Sequence, residues 1–356
     1  MTLPPFLLYL REVDALELLR ELTAIPGPPG QEGAVRDALV RHVDSLGHAH
    51  STDAKGNLLV RIGSGKPKVV VTAHMDEIAM IVRRVEYDGR LAVGPLGGMF
   101  PWKLGEGPVQ ILATGGSMDG LLSLGSIHTD DSDSNVRRAE SEGVTWEMAR
   151  ILTGLSRAEV LAAGVRPGTR VVVHQSRRNL FMLENLVGGY FLDDRADLVS
   201  WLLALKELKG SQADAVFAAT VSEEVGGEGA LYLLQDLRPD VCVALELGPK
   251  VDDAPIELND QPTVWASDSY STMNAADGDL LAELGAELKM KLQFQALSRG
   301  GSDASCAASH GLCARPITLG IPMENSHGFE VIHPDAMGNL ASLAASLVRR
   351  LASFMP

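Results

Sequence analysis

The chain has 356 residues, of which 46% are hydrophobic and 22% charged, and its formal net charge is −15 at pH 7. That length suits one large α/β unit carrying an insertion, with enough apolar residues to bury a sizeable core. The acidity argues against a nucleic-acid partner, whose phosphates attract Lys and Arg, and no apolar run approaches the ~20 residues of a membrane span.

Residues 1–10 hold an apolar patch but lack a basic start and a small-residue cleavage site, so they do not read as a signal peptide. Only three cysteines occur, Cys242, Cys306 and Cys313, in no metal-ligand spacing. Such a set fits a reducing compartment, and the expectation is a soluble, cytoplasmic protein. Residues 12–47 predict helix interrupted at Pro26-Gly27-Pro28-Pro29-Gly30. The turn signal Asp53-Ala54-Lys55-Gly56-Asn57 predicts a hairpin before a strand at 69–73. From 78 to 184 the character changes. Short β-like segments at 79–85, 91–93, 109–113 and 171–174 are separated by Gly-rich turns and one helical stretch, 157–163. This predicts a β-rich domain, 78–184, inserted into a main domain made of 1–77 and 185–356. The main domain then alternates: helix 198–208, strand 215–221, helix 229–236, strand 241–245, helix 280–291 and a closing amphipathic helix 336–354. Alternating strands and helices predict an α/β, three-layer sandwich around a mixed, largely parallel sheet covered on both faces.

The chemistry sits where the hydrophobic runs stop. Residues 69–73 lead into His74-Met75-Asp76, 215–222 into Glu223-Glu224, 241–245 into Glu246, 315–323 towards His327, and 188–192 into Asp193-Asp194. Ligands of open α/β sheets bind beyond the carboxyl ends of the strands, so these groups converge on one crevice. Acidic and imidazole groups gathered there call for a cation, and two metal ions are the simplest explanation. His74 and Asp76 share one face of an extended segment, with His74 ligating and Asp76 holding its other N–H. Of Asp193 and Asp194, one bridges two ions and the other pairs with Arg195, while Asp197 reads as an exposed first-turn residue. Of Glu223 and Glu224, one binds metal and the other serves as general base. Glu246 is a buried acid that needs a partner, and His327 is preferred to His333 as the last ligand. Ser302-Asp303, in a Gly-rich loop, is expected to shape the entrance. Each residue alone has an ordinary explanation, such as a core histidine, a helix N-terminal acid or a solvated acidic turn. Their shared placement at strand ends outweighs those. A His/carboxylate set suits zinc, with cobalt or manganese as alternatives.

The order His-x-Asp, Asp-Asp-Arg, Glu-Glu-Val-Gly, acid, His resembles that of the co-catalytic dinuclear aminopeptidases, most closely the tetrahedral (TET) aminopeptidase family. The likeness extends to Pro26-Gly27-Pro28, Lys55-Gly56-Asn57-Leu58 and Gly300-Gly301-Ser302-Asp303-Ala304. In this family the insertion between His74 and Asp193 is a small β-barrel dimerisation domain, whereas related deacylases and carboxypeptidases carry a later lid. The resemblance implies one ion on His74, Asp193 and Glu246, and another on Asp193, Glu224 and His327. It also implies Glu223 as general base, Asp76 as the residue orienting His74, and dimers assembled into a hollow dodecamer. Glu246 stands where the family usually has aspartate. The expected function is removal of N-terminal residues from short peptides. The alternatives are a metal-dependent deacylase or carboxypeptidase acting on small amides, and a non-catalytic binding protein with a vestigial metal site.

Overall fold

The strands that lead to His74, Glu223-Glu224, Glu246 and His327 lie side by side at the centre of one sheet. The computed structural model describes residues 14–66 and 68–354; the stretch 1–10, read above as no signal peptide, lies outside them. Four parallel strands, Ala215–Thr220, Val69–His74, Val241–Pro249 and Arg315–Glu324, form the middle of the sheet in that order. Antiparallel strands extend it on both sides. Leu58–Ile62 and His50–Thr52 lie on one edge, and Glu330–Ile332, Leu186–Gly189 and Phe181–Leu183 on the other. The expected hairpin forms because the Asp53 carboxylate accepts from the backbone N–H groups of Lys55, Gly56 and Asn57.

Alternation along the central strands builds the three layers. Val69, Val71, Phe217, Val243 and Leu245 pack with the helices Ala15–Ala24, Gly33–Leu46, Leu192–Glu207 and Ala336–Phe354. Val70, Val216, Ala218, Cys242 and Ala244 face the other way, towards Glu228–Leu237 and Asp303–Ser309. The period of two continues past the apolar residues and puts His74 and Glu246 on that second face, with Thr72 and Ala244 paired just beneath them.

Six antiparallel strands, all between Val69–His74 and Leu186–Gly189 in the chain, close a barrel. Their order is Ala79–Val85, Leu91–Leu96, Arg150–Leu152, Gly116–Ser123, Gly107–Ala113 and Arg170–Val173. Its interior is filled by Met80, Val82, Leu91, Val93, Val109, Ile111, Ile151 and Val171. The structure adds elements that periodicity did not show. The strand Gly116–Ser123 buries only one of its residues and is held by pairing to Gly107–Ala113. The helix Asn135–Glu142 buries none of its side chains and starts from a Ser134 cap. In the main domain the strand expected to end at Leu245 runs on to Pro249, because Arg315–Glu324 pairs with it through Met323. Glu246 therefore sits within a strand. Helix boundaries shift as well: the expected 280–291 is Ala275–Leu288, set by the side chain of Asn274 accepting from Ala276. Among the described residues no helix is long and apolar enough to cross a membrane.

Glycine at 320 allows three strands to meet behind Glu246. A Cβ there would stand 2.7 Å from the Glu246 carbonyl oxygen and 2.7 Å from Thr263 Oγ1. Both neighbours belong to paired strands that cannot retreat independently. Gly320→Ala is expected to lower the unfolding free energy by about 1–3 kcal/mol, the usual range for overpacking. A denaturant midpoint unchanged from the native chain would contradict this account.

Candidate metal centre

His74, Asp193, Asp194 and Glu246 each offer an atom within 4.8 Å of the others, and Asp193, Glu224 and His327 do the same. Asp193 is common to both groups: its carboxylate lies 3.1 Å from His74 Nε2 and 3.7 Å from His327 Nε2. His327 Nε2 is 3.8 Å from Glu224. His333 is directed elsewhere, towards Asp335. The five residues singled out as ligands are thus brought together, and Asp194 joins them.

Both imidazoles are oriented by carbonyl oxygens, which can only accept. His74 Nδ1 donates to the Asp76 carbonyl at 3.1 Å, and His327 Nδ1 donates to the Gly98 carbonyl at 2.9 Å. Each ring therefore presents Nε2 to the carboxylates, the arrangement that metal-ligating histidines adopt. The Asp76 carboxylate, 3.5 Å from His74 Nδ1, has another task. It accepts from the backbone N–H groups of Glu223 (2.9 Å) and Glu224 (3.1 Å), fixing the turn that carries both glutamates.

Two expectations fail here. Asp194 does not pair with Arg195; its Oδ2 accepts from the His74 backbone N–H at 2.7 Å. Arg195 instead turns to Glu77 and to the carbonyls of Met75 and Ile25. Asp197 is fully buried beside Asp194 rather than exposed, because the helix that bears it runs through the core. The peptide bond between Asp193 and Asp194 is cis, and the helix is regular only beyond them.

Several supporting residues had not been anticipated. Glu330 accepts from the backbone N–H groups of both Asp193 (3.0 Å) and His327 (2.9 Å), so one carboxylate aligns both. Its only signal in the sequence is an acid opening a short apolar strand. Glu32 accepts from Ser222, which is held at φ +57° just before the glutamate pair. Glu77, fully buried, joins Arg178 and Arg195 directly behind the His74–Asp76 segment. Of the loop pair expected at the entrance, Ser302 lines the cleft, while Asp303 is buried and accepts from Thr220 Oγ1 at 2.6 Å.

Electrostatics describe a site short of positive charge. Burial pushes Glu224 well above the usual carboxylate range, with Asp193 adding to it. Burial does the same to Glu246, reinforced by Glu223 and Asp194, and raises Asp194 to about 8. For His74, burial opposes the imidazolium, but Asp194, Asp193 and Asp76 outweigh it and raise the group well above its ordinary value. Among the described residues the buried Asp194 Oδ1 has no hydrogen-bond partner. Carboxylates and imidazole Nε2 atoms that converge with an orphaned oxygen among them fit divalent cations. The group forms one wall of an open cleft of about 360 Å³, whose other side includes Trp265, Leu297, Pro249 and Tyr270.

A histidine–carboxylate centre at the C-terminal edge of a parallel sheet, with a further glutamate in the same cleft, defines a metal-dependent hydrolase of the α/β metallopeptidase kind. Residues 56–343 match the M42 glutamyl aminopeptidase family, and the chain belongs to it. It is a metal-dependent aminopeptidase. The chain is 26% identical over 348 residues to a lysyl aminopeptidase of Pyrococcus furiosus, covering 94% of this chain and 97% of that one. A glutamyl aminopeptidase of Lactococcus lactis is 24% identical, with 90% and 91% covered. Among solved structures, the TET1 peptidase of Pyrococcus horikoshii, which can assemble into a tetrahedron or a large octahedral shell, superposes with a TM-score of 0.84. It is 25% identical, with 94% of this chain and 99% of that one covered.

Proposed function

We propose that the chain removes N-terminal residues from short peptides, using two divalent ions shared through Asp193. His74, Asp193 and Glu246 would hold one ion; Asp193, Glu224 and His327 the other. The observation that carries this reading is the Asp193 carboxylate, placed between two histidine Nε2 atoms. Zinc suits the donor set, with cobalt or manganese as alternatives. When bound, the ions supply Lewis-acid polarisation of the scissile carbonyl and acidify a water. Glu223, in the cleft wall but in neither ligand group, takes the proton of the attacking water and delivers it to the leaving amine. Asp76 positions both sides of this reaction, through its carbonyl on His74 and its carboxylate on the Glu223-Glu224 backbone.

Residues 78–184 would form the inserted unit through which dimers form, with 1–77 and 185–356 as the catalytic unit. The likeness to TET1 peptidase structures, one of them a dodecamer, supports a dodecamer built from those dimers. The three cysteines are free, in keeping with a cytoplasmic setting. A mass-spectrometric time course on mixed free and N-acetylated short peptides, with metal restored after chelation, tests the activity. Stepwise loss from the free peptides alone is expected. Loss of acetyl groups or of C-terminal residues would replace this reading with a deacylase or carboxypeptidase.

A further inference from the structure

The loop carrying His327 is held both from within and from the barrel. Asn325 and His327 both occupy the left-handed region, at φ +65° and +58°; asparagine visits it readily, whereas for His327 it costs about 1 kcal/mol or more. Within the loop Asn325 Nδ2 donates to the Phe329 carbonyl at 2.9 Å, and Glu330 accepts from the His327 N–H. Further contacts come from the barrel, from the segment between its strand Leu91–Leu96 and the end of the short helix Pro101–Leu104.

That segment reaches the site at three points. The Gly98 carbonyl accepts from His327 Nδ1 at 2.9 Å. Lys103 Nζ donates to Asn325 Oδ1 at 2.9 Å and to the Ser326 carbonyl at 2.7 Å, spanning the two residues that precede the histidine. Gly97, at φ +88°, lies so close that a Cβ would stand 3.2 Å from the Glu224 Cβ. A Cβ on Gly98 would collide with the imidazole itself, at 2.6 Å from Nδ1. Two glycines in succession are what allow the barrel backbone to touch a histidine and a glutamate of the same ligand group.

We propose that this barrel segment builds the Asp193–Glu224–His327 half of the centre, with Lys103 as the positioning residue for His327. Lys103 clamps the left-handed loop from in front while Gly98 sets the ring's tautomer and tilt. Among the described residues, no hydrogen bond from the 97–104 segment reaches His74, Asp193 or Glu246. The orienting contacts of the His74–Asp193–Glu246 half come from Asp76 and Asp194 on His74, and from Glu330 on Asp193. The inference rests on the reading of His327 as a metal ligand.

The test is a titration of chelator-stripped protein with cobalt(II), followed by visible absorption, on the whole chain and four variants. The native chain is expected to take up two ions. His327→Ala should lose one of them; uptake indistinguishable from native would remove the ligand reading and the inference with it. Lys103→Met should keep two ions but bind one of them roughly 10-fold more weakly, the lower end of what outer-shell partners contribute. The other ion should keep its affinity, and Lys103→Arg, which retains the donors, should restore the first. Gly98→Ala should weaken the same ion by about 10–100-fold. A merely structural role would lower the melting temperature of the Lys103 variant and leave both cobalt affinities alone. If His327→Ala loses an ion while Lys103→Met and Gly98→Ala bind both as the native chain does, the barrel does not position the site.

Discussion

Glu223→Gln should reduce turnover by about 10²–10⁴-fold, the usual share of general acid–base catalysis, while both ions stay bound. The geometry separates the two effects. Glu223 lines the cleft but belongs to neither ligand group, whereas its neighbour Glu224 belongs to one. The Asp76 carboxylate holds the backbone of both residues, and that contact survives a side-chain amide at 223. Burial raises the proton affinity of Glu223 well above the carboxylate range, and Asp303 and Glu224 add to it. Glutamine has almost the same shape, so substrate binding and the cleft should persist, and KM should change less than kcat. Metal content measured alongside kcat decides the matter. A variant with near-native turnover would remove Glu223 from its role, and one that has lost an ion would make it a ligand.

How much of this centre could be read in the sequence follows from which contacts are local. The apolar runs at 69–73, 215–220 and 241–245 are strands because their residues fill both faces of a central sheet, and parallel alignment brings their ends together. His74, Glu224, Glu246, Asp193 and His327 were visible for that reason. Asp197 was misread because an acid near a helix N-terminus is ordinarily solvated, and nothing local reports that this helix crosses the core. The Asp194–Arg195 pairing failed because Arg195 meets Glu77 from a segment over a hundred residues earlier. Glu330, Glu32 and Lys103 act through hydrogen bonds to backbone groups of the site residues. Such bonds leave no periodic trace in the sequence. The barrel's weaker elements are hidden for a related reason: Gly116–Ser123 is a strand by virtue of its partner, since only one of its own residues is buried.

Removing the metal should abolish activity and make stability fall as pH rises, the reverse of ordinary acid unfolding. In the metal-free chain Asp194 and Glu330 have pKa values raised to about 8, and Glu224 and Glu246 lie well above their usual range, all chiefly through burial. An acid whose folded pKa exceeds its unfolded value holds its proton more tightly when folded. The native state then binds more protons than the unfolded one, and stability drops with rising pH, here from about 4 to about 8. His74 acts in the same direction. Its raised folded pKa gives stability present below its unfolded value near 6.5 and lost as pH climbs through the folded one. Asp193 is the exception: His74 overcomes its burial and lowers it, so its contribution appears above about pH 4 and vanishes in acid. Four raised acids and a raised histidine outnumber it. Cations replace the protons, so uptake should release protons between pH 6 and 8 and tighten as pH rises. Loaded protein at 100 to 1,000 times the dissociation constant would gain about 2.7–4.1 kcal/mol over the stripped form. Calorimetric titration in two buffers of different ionisation enthalpy counts the protons, and melting curves of stripped protein from pH 5 to 8 give the slope. A stripped form whose melting temperature rises over that range, or uptake without proton release, would mean that these acids are already ionised and balanced by charge from elsewhere in the chain.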